Sequence, residues 1–265
     1  MDYIRQDVRN NFSLFGIIIG AFFLIFCFPL SARGFEGDVD EDGLSDDMEM
    51  VWHTDLNNSD TDGDGFPDGV EIKNGFSPHA GQKMRVYSFD FDKDGLSDWH
   101  EFWFKSNIGV IDSDGDGKTD LDEVMHGQSP VEEEKQFTRK IVVNRSTQHM
   151  QYLVDGIDIK TFPVSTGNPK TETPEGVFEI LDKKEKKDYI GPGYHMKDVM
   201  WNMLFKKGGF YLHSAYWHND FGKRTHSHGC INMTIPDAKF LYPYIDVGVS
   251  VEVVGKTPGR FKVGT

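Results

Sequence analysis

The sequence predicts a mostly β C-terminal domain with one short helix, preceded by a small loop-rich α region and an N-terminal hydrophobic helix. The charges divide the chain, because residues 36–135 carry 28 acidic and 7 basic residues whereas residues 136–265 carry 13 acidic and 18 basic residues. The predicted strands, which are rich in β-branched and aromatic residues, lie in the second of these segments. A chain of 265 residues is long enough for one to three domains.

The first 35 residues have the pattern of an export segment. Residues 12–30 contain no charged side chain, Arg5 and Arg9 precede them, and the small residues Ser31 and Ala32 follow. A run of this length is about long enough to span a bilayer, so we expect either a cleaved signal peptide or a membrane anchor. A buried globular helix is the alternative, although the run has no polar face. We therefore expect the remaining chain to lie in the periplasm or cell envelope.

Four twelve-residue windows in residues 36–130 share one pattern: "DVDEDGLSDDME", "DTDGDGFPDGVE", "DFDKDGLSDWHE" and "DSDGDGKTDLDE". Each window has acidic residues at positions 1, 3, 5, 9 and 12 and glycine at position 6. This spacing of oxygen ligands is that of an EF-hand-type calcium loop, in which glycine permits the sharp turn. The predicted ligands of a structural calcium ion are Asp38, Asp40, Asp42, Asp46, Glu49, Asp60, Asp62, Asp64, Asp68, Glu71, Asp90, Asp92, Asp94, Asp98, Glu101, Asp112, Asp114, Asp116, Asp120 and Glu123.

The four windows form a duplicated pair. They begin at residues 38, 60, 90 and 112, so the second pair repeats the first at an offset of 52 residues. The phrases "DGLSD" and "DTDGDG" resemble bacterial thrombospondin type 3 repeats, which implies calcium binding. A solvated acidic spacer without an ion is the alternative, but it gives no reason for glycine at position 6 of every window.

The second half of the chain reads as a β domain over residues 138–255, after a charged linker at 131–137 and before a tail at 256–265. The predicted strands are "KIVVN", "MQYLVDG", "IDIKTFPVS", "GVFEILDK", "GFYLH" and "VGVSVEVV", which turn residues separate. One helix is predicted near Pro236 to Tyr244, with Thr234 as its N-cap and Asp237 as the capping-box acid.

The stretch "RTHSHGCINM" holds the cysteine that carries the predicted chemistry. The chain has two cysteines, and Cys27 lies within the export segment, so Cys230 has no intramolecular partner once the chain is exported. A thiol becomes a competent nucleophile when a nearby imidazole removes its proton. His213 ends a predicted strand, which is a rigid place for such a base. Tyr216 and Trp201 are predicted to line a substrate groove, and a place in the core is the alternative for such aromatic residues.

Three stretches resemble the catalytic domain of the YkuD-like L,D-transpeptidases: "STGNPKTETPEGVFEI", the pair His213 and Ser214, and "SHGCIN". The resemblance implies a β-sandwich-like fold with Cys230 as nucleophile and His213 as base. It also implies that the backbone carbonyl of Ser214 orients the imidazole. The N–H groups of His228, Gly229 and Cys230 would form the oxyanion hole, and Ser227 and Asn232 would shape the substrate-binding loop.

The resemblance implies acyl transfer on peptidoglycan stem peptides, with release of D-alanine and formation of a crosslink. Transfer to water, an L,D-carboxypeptidase reaction, is the alternative on the same substrate. We expect no cofactor for catalysis. A zinc hydrolase would use the same Cys/His cluster, but HExxH and CxxC frames are absent. A non-catalytic, calcium-dependent wall-binding protein is the third possibility. The formal net charge of -15 disfavours a nucleic-acid partner.

Overall fold

The computed structural model describes residues 37–81, 84–191 and 194–259. The predicted export helix at residues 12–30 lies outside these residues, so its role as signal peptide or anchor stays a prediction. Within the described ranges, no helix is both long enough and apolar enough to cross a membrane.

The acidic region consists of four loops, each followed by a short helix. Every helix begins at the ninth position of its acidic window, where an aspartate lies favourably at the helix N-terminus. The glycine at position 6 has a positive φ in all four loops, between +94° and +102°, which explains why no other residue occurs there. The helices are α1 (Asp46–Trp52), α2 (Asp68–Lys73), α3 (Asp98–Phe104) and α4 (Asp120–His126).

Nine strands form the C-terminal sheet, in the order β4-β9-β1-β2-β3-β8-β7-β6-β5. The central strand β3 pairs with β2 on one side and β8 on the other, so it joins the two halves of the sheet. Two pairs are parallel, β1 with β9 and β7 with β8. The strands are β1 (Arg139–Asn144), β2 (His149–Val154), β3 (Ile157–Ser165), β4 (Gly176–Glu179), β5 (Asp182–Gly191), β6 (Tyr194–Lys206), β7 (Phe210–Ser214), β8 (Ile231–Met233) and β9 (Ser250–Val254).

The predicted mostly β domain with one short helix is confirmed. Helix α5 (Ile235–Leu241) is followed by a 3-10 turn at Tyr242–Tyr244, so the regular helix is shorter than predicted. Thr234 is its N-cap, and its hydroxyl accepts a hydrogen bond from the Asp237 N–H at 3.2 Å. The long hairpin β5–β6 was not predicted, because the lysine-rich stretch before Tyr189 lacks the apolar alternation of a buried strand.

The second loop pair and the sheet share one hydrophobic core. Leu96, Phe104, Val124 and Met125 from the acidic region belong to the same buried cluster as the inward side chains of both halves of the sheet. A separate small cluster joins the first loop pair to residues that follow it, and its members are Leu44, Trp52, Val86 and Ile108. The predicted domain boundaries stay a prediction, but α3 and α4 pack directly on the β domain.

Candidate functional site

The predicted nucleophile and base lie on adjacent parallel strands. In the pairing of β7 with β8, His213 is opposite Asn232 and Leu212 is opposite Ile231, which places Cys230 opposite Tyr211 when the register continues by one residue. Residues two apart on a strand share a face, so His213 lies on the face of Tyr211. The sheet therefore brings the thiol and the imidazole to the same face although 16 residues lie between them in sequence.

The imidazole of His213 is held in one tautomer. The side chain is buried, and its Nδ1–H donates to the Ser214 carbonyl oxygen at 2.8 Å. A carbonyl only accepts, so Nε2 is the unprotonated nitrogen and can act as a base. Burial lowers the pKa of His213 to about 4, which keeps the ring neutral near pH 7. The backbone carbonyl of Ser214 thus occupies the orienting position that the sequence predicted.

Cys230 lies at a partly exposed position, just before β8, and is protonated at rest. Desolvation by the surrounding protein raises the pKa of the thiol to about 11, although the Tyr211 N–H and the Lys187 charge act in the opposite direction. The thiol donates a long hydrogen bond, 3.5 Å, to the Gly209 carbonyl oxygen. The raised pKa of the thiol and the lowered pKa of the imidazole both favour the neutral form of each side chain near pH 7.

The loop that carries Cys230 is a tight turn stabilised by Ser227. The Ser227 hydroxyl accepts from the Gly229 N–H at 3.0 Å and donates to the Cys230 carbonyl oxygen at 2.5 Å. Gly229 has a φ of +118°, and a Cβ there would lie 2.7 Å from the ring of Phe210. Since the Gly229 N–H is already occupied, two of the three predicted oxyanion donors remain, the N–H groups of His228 and Cys230.

A second loop braces this turn. The Ser227 carbonyl oxygen accepts from both the backbone N–H and the side-chain amide of Asn168, at 3.0 and 3.1 Å. Thr171 donates to the same oxygen at 3.2 Å, and Thr173 donates to the Cys230 carbonyl at 3.3 Å. The stretch "STGNPKTETP" that carried part of the family resemblance therefore holds the loop of Cys230 in place.

Asn232 joins the site to a cluster of histidines. Its side-chain nitrogen lies 3.1 Å from His218 Nε2, and the His218 ring stacks on His226 at 4.4 Å between centroids. His226 Nε2 lies 2.7 Å from an Asp220 carboxylate oxygen. Burial lowers the pKa of His218 to about 4. Both histidines are thus engaged with neighbouring side chains, whereas the exposed His228 stacks on Tyr194.

The two predicted groove residues differ in position. Tyr216 is exposed and packs edge-on against Trp217, whose ring centroid lies 5.9 Å from that of His213. Trp201 is half-buried and packs against the main hydrophobic core. Tyr216 therefore remains a candidate for substrate contact, and the groove role of Trp201 stays a prediction beside its observed packing against the core.

Strand β5 provides one wall of the site, which was not predicted from the sequence. The ring of Tyr189 lies 4.9 Å from the ring of His213, and its hydroxyl donates to the Asn202 side-chain oxygen at 2.8 Å. Lys187 lies two residues earlier on the same strand, beside Tyr189 and Tyr211. The available signal was a single tyrosine, Tyr189, at the end of a lysine-rich run.

In each acidic loop, the carboxylates at positions 1, 3 and 5 converge, with oxygen atoms within 4.8 Å of one another. The aspartate at position 9 instead accepts a hydrogen bond from the backbone N–H at position 2, as Asp68 does from Thr61 at 2.9 Å. These position-9 aspartates stabilise the loop backbone and do not belong to the converging carboxylates at positions 1, 3 and 5. The sets that the structure brings together are Asp38, Asp40 and Asp42; Asp60, Asp62 and Asp64; Asp90, Asp92 and Asp94; and Asp112, Asp114 and Asp116.

The glutamates at position 12 are buried beside these aspartates. Each has at least one carboxylate oxygen that is buried without a hydrogen-bond partner in the protein. Burial, followed by repulsion from aspartates of the same loop, raises their pKa values: to about 7 for Glu49 and Glu123, about 8 for Glu71 and about 10 for Glu101. Buried oxygens of this kind, beside converging carboxylates, are suited to hold a hard cation.

The fold and the site define a mostly β domain with a cysteine–histidine pair for thiol chemistry. A family profile described as the L,D-transpeptidase catalytic domain, YkuD, matches residues 138–253. This part of the chain is therefore similar to YkuD L,D-transpeptidase catalytic domains, and the predicted resemblance to that family is confirmed.

Two curated relatives come from Mycobacterium tuberculosis. L,D-transpeptidase 2 is 27% identical over 155 residues, which cover 53% of this chain and 37% of the relative. L,D-transpeptidase 1 is 30% identical over 117 residues, which cover 38% of this chain and 44% of the relative. The chain thus spans less than half the length of either relative.

Solved structures include an L,D-transpeptidase from Mycobacterium smegmatis, with 28% identity, a TM-score of 0.43, and coverage of 45% of this chain and 60% of that chain. An L,D-transpeptidase from Mycobacterium tuberculosis H37Rv has 27% identity, a TM-score of 0.43, and coverage of 45% and 59%, respectively.

Proposed function

We propose that this protein is an L,D-transpeptidase that transfers acyl groups between peptidoglycan stem peptides through Cys230. The observation that carries the proposal is the fixed tautomer of His213, on the strand next to the cysteine and within the residues that match the family. A buried imidazole whose Nδ1–H is held by a carbonyl presents Nε2 as a base. An acyl-transfer enzyme requires this arrangement, and a wall-binding protein does not.

The reaction begins when the Cys230 sulfur attacks the carbonyl carbon that joins the third residue of the donor stem to D-alanine. The thiol proton passes to His213 Nε2, and the negative charge forms on the carbonyl oxygen. The N–H groups of His228 and Cys230 stabilise this oxygen. The C–N bond then breaks, and His213 returns the proton to the departing amine of D-alanine.

The resulting thioester reacts with the amine of a second stem, which loses its proton to His213 and forms the crosslink. Sulfur leaves as the thiol when it regains that proton. If water replaces the amine, the product is a shortened stem, and the protein is an L,D-carboxypeptidase.

Muropeptide mass spectrometry with purified protein tests this proposal. We expect dimers joined through third-position residues, together with free D-alanine. Shortened monomers without dimers would instead show carboxypeptidase action. Cys230→Ala abolishes both products, whereas Cys27→Ala, a matched thiol variant, retains them. Unchanged products with Cys230→Ala would refute catalysis and support a wall-binding role. Loss of wild-type activity with a zinc-selective chelator would support a zinc hydrolase.

We further propose that the acidic loops are calcium-binding repeats of the bacterial thrombospondin type 3 kind. The buried, unpartnered glutamate oxygens support this, because leaving an ionised carboxylate buried and uncompensated is unfavourable. In each loop, the aspartates at positions 1, 3 and 5, the glutamate at position 12 and the carbonyl at position 7 would hold the ion, which stabilises the loop.

Calorimetric titration of the chelator-treated protein tests the metal proposal. We expect four calcium ions per chain and a higher unfolding temperature with calcium than with chelator. Glu101→Gln removes one buried ligand and lowers the stoichiometry by one, whereas Glu133→Gln, in the predicted linker, leaves it at four. No heat of binding and identical unfolding temperatures would refute calcium binding.

The proposed location is the periplasm or cell envelope, with residues 12–30 as a membrane anchor if they are not cleaved. This rests on the uncharged run after Arg5 and Arg9. Fractionation and N-terminal sequencing of the protein from cells test it. A soluble form that begins near residue 33 would show a cleaved signal, and recovery in the cytosol would refute export.

A further inference from the structure

Lys187 places a positive charge beside the catalytic pair. Its Nζ lies 4.2 Å from the centroid of the Tyr189 ring and 5.3 Å from that of Tyr211. The Tyr189 ring in turn lies 4.9 Å from the ring of His213, and Tyr211 is opposite Cys230 in the continued strand register. The side chain is half-buried. The ammonium group therefore lies beside the Tyr189 and Tyr211 rings at the site, and it is still partly exposed to solvent.

This charge has no carboxylate partner in the part of the chain that the structure describes. Its polar contact is the Asp188 carbonyl oxygen, 3.2 Å from Nζ. The Asp188 carboxylate accepts from the Asp198 N–H and lies 3.5 Å from His195. By contrast, Lys186 on the opposite face of the strand forms an ion pair with Asp198 at 2.6 Å. An ammonium has three donors, so Lys187 can bind an incoming anion.

The charge also acts on both reacting groups. It lowers the pKa of the Cys230 thiol and that of His213. Lowering the thiol pKa makes the thiolate easier to form. Lowering the His213 pKa has the opposite effect on the reaction, because it makes the imidazolium that receives the thiol proton less stable. An anion of the substrate bound at the ammonium would offset its positive charge, and the imidazolium of His213 would then form more easily.

We infer that Lys187 binds a carboxylate of the acyl donor and so selects donors that carry a free carboxylate near the bond to be cleaved. This inference rests on the proposed function for the identity of the donor. A stem peptide offers two such carboxylates: the C-terminal one of the departing D-alanine, and the side-chain carboxylate when the third residue is a diamino diacid. Both offer the same chemistry to the ammonium.

Alkylation of Cys230 tests whether the Lys187 charge attracts an anionic reagent, and it needs no stem peptide. Iodoacetate and iodoacetamide form the same S–C bond with release of iodide, but only iodoacetate carries a carboxylate. We expect Lys187→Gln to lower the ratio of the iodoacetate rate to the iodoacetamide rate about three- to ten-fold, as one nearby charge does in partial solvent. The ratio cancels any change in thiolate fraction. Lys187→Arg keeps the ratio, and so does the control Lys186→Gln.

A ratio that is unchanged in Lys187→Gln, with wild-type circular dichroism, would overturn the inference. It would do so even if no stem peptide were a substrate. Conversely, absence of any stem-peptide product, together with the expected fall in the ratio, would refute the proposed function and leave anion binding by Lys187 established.

Synthetic donors then separate the two sources. The wild-type kcat/KM is expected to fall about ten-fold when the recognised carboxylate is converted to an amide. Lys187→Gln is expected to remove that difference. An effect of the C-terminal amide alone identifies the D-alanine carboxylate, and an effect of the side-chain amide alone identifies the diamino acid. If conversion of each of the two carboxylates to an amide changes kcat/KM equally in wild type and Lys187→Gln, the role of Lys187 in substrate binding is refuted.

Discussion

The hydroxyl of Tyr152 joins the β domain to the acidic region, and its removal measures how strongly the two are coupled. Tyr152 is fully buried on β2 and donates to the Met125 carbonyl oxygen, at the end of α4, at 2.6 Å. Tyr152→Phe keeps the ring and leaves that buried carbonyl without the donor. An unsatisfied buried acceptor costs about 1–3 kcal/mol of unfolding free energy. We expect this cost in the presence of calcium.

The coupling to calcium follows from the position of α4. Glu123, the twelfth residue of the fourth acidic loop, lies in the same helix as Met125. If calcium holds this loop and helix in place, chelation loosens α4 and removes the hydrogen bond from the wild type as well. The cost of Tyr152→Phe should then fall to below about 0.5 kcal/mol in chelator, within the error of additivity.

Urea unfolding of wild type and Tyr152→Phe, each with saturating calcium and with chelator, gives the four free energies of the cycle. Tyr242→Phe is the matched control, because its ring contacts Lys183 and is remote from the acidic loops in sequence. Its cost should be the same in both conditions. Equal costs of Tyr152→Phe with and without calcium would refute the coupling and show that α4 docks on the sheet without the ion.

Two further predictions concern the active site. The depressed pKa of His213, about 4, contributes stability that is present above the unfolded pKa of about 6.5 and is lost as the pH falls toward 4. The unfolding free energy of the wild type relative to His213→Gln should therefore fall by up to about 3 kcal/mol between pH 7 and pH 4, and a constant difference in urea titrations would contradict this. Gly229→Ala, with a φ of +118° and a Cβ 2.7 Å from Phe210, should cost more than about 1 kcal/mol in thermal unfolding and slow acyl transfer. Gly248→Ala is its control, because φ there is +96° but nothing lies within 4 Å of the added Cβ, so an equal cost would show that the contact is unimportant.

Much of the fold could be predicted because local chemistry determined it. The strands with alternating β-branched residues and the N-cap of α5 at Thr234 follow from short-range patterns. The hairpin β5–β6 could not be predicted in this way. Its first strand has mostly exposed or half-buried positions, so few of its residues face the core and no apolar alternation marks it.

The site likewise has residues that the sequence predicted and residues that it did not. Cys230, His213 and the bracing loop were recognisable as motifs. Lys187 and Tyr189 were not, because they reach the site only through the pairing of β5 with β6 and of β6 with β7. The hydrogen bond from the Gly229 N–H to the Ser227 hydroxyl could not be predicted either, because it depends on the rotamer of a side chain two residues away. The packing of α3 and α4 on the sheet arises from contacts across the predicted linker, which no local pattern records.

The protonated state of Cys230 has a consequence for the durability of the protein. Oxidants react with thiolates, and desolvation that raises the pKa of Cys230 to about 11 keeps most of this thiol protonated at pH 7. Peroxide and disulfide exchange would therefore consume the nucleophile slowly, even outside the reducing cytoplasm. The desolvation that makes the thiol hard to ionise therefore also slows its oxidation in the resting protein.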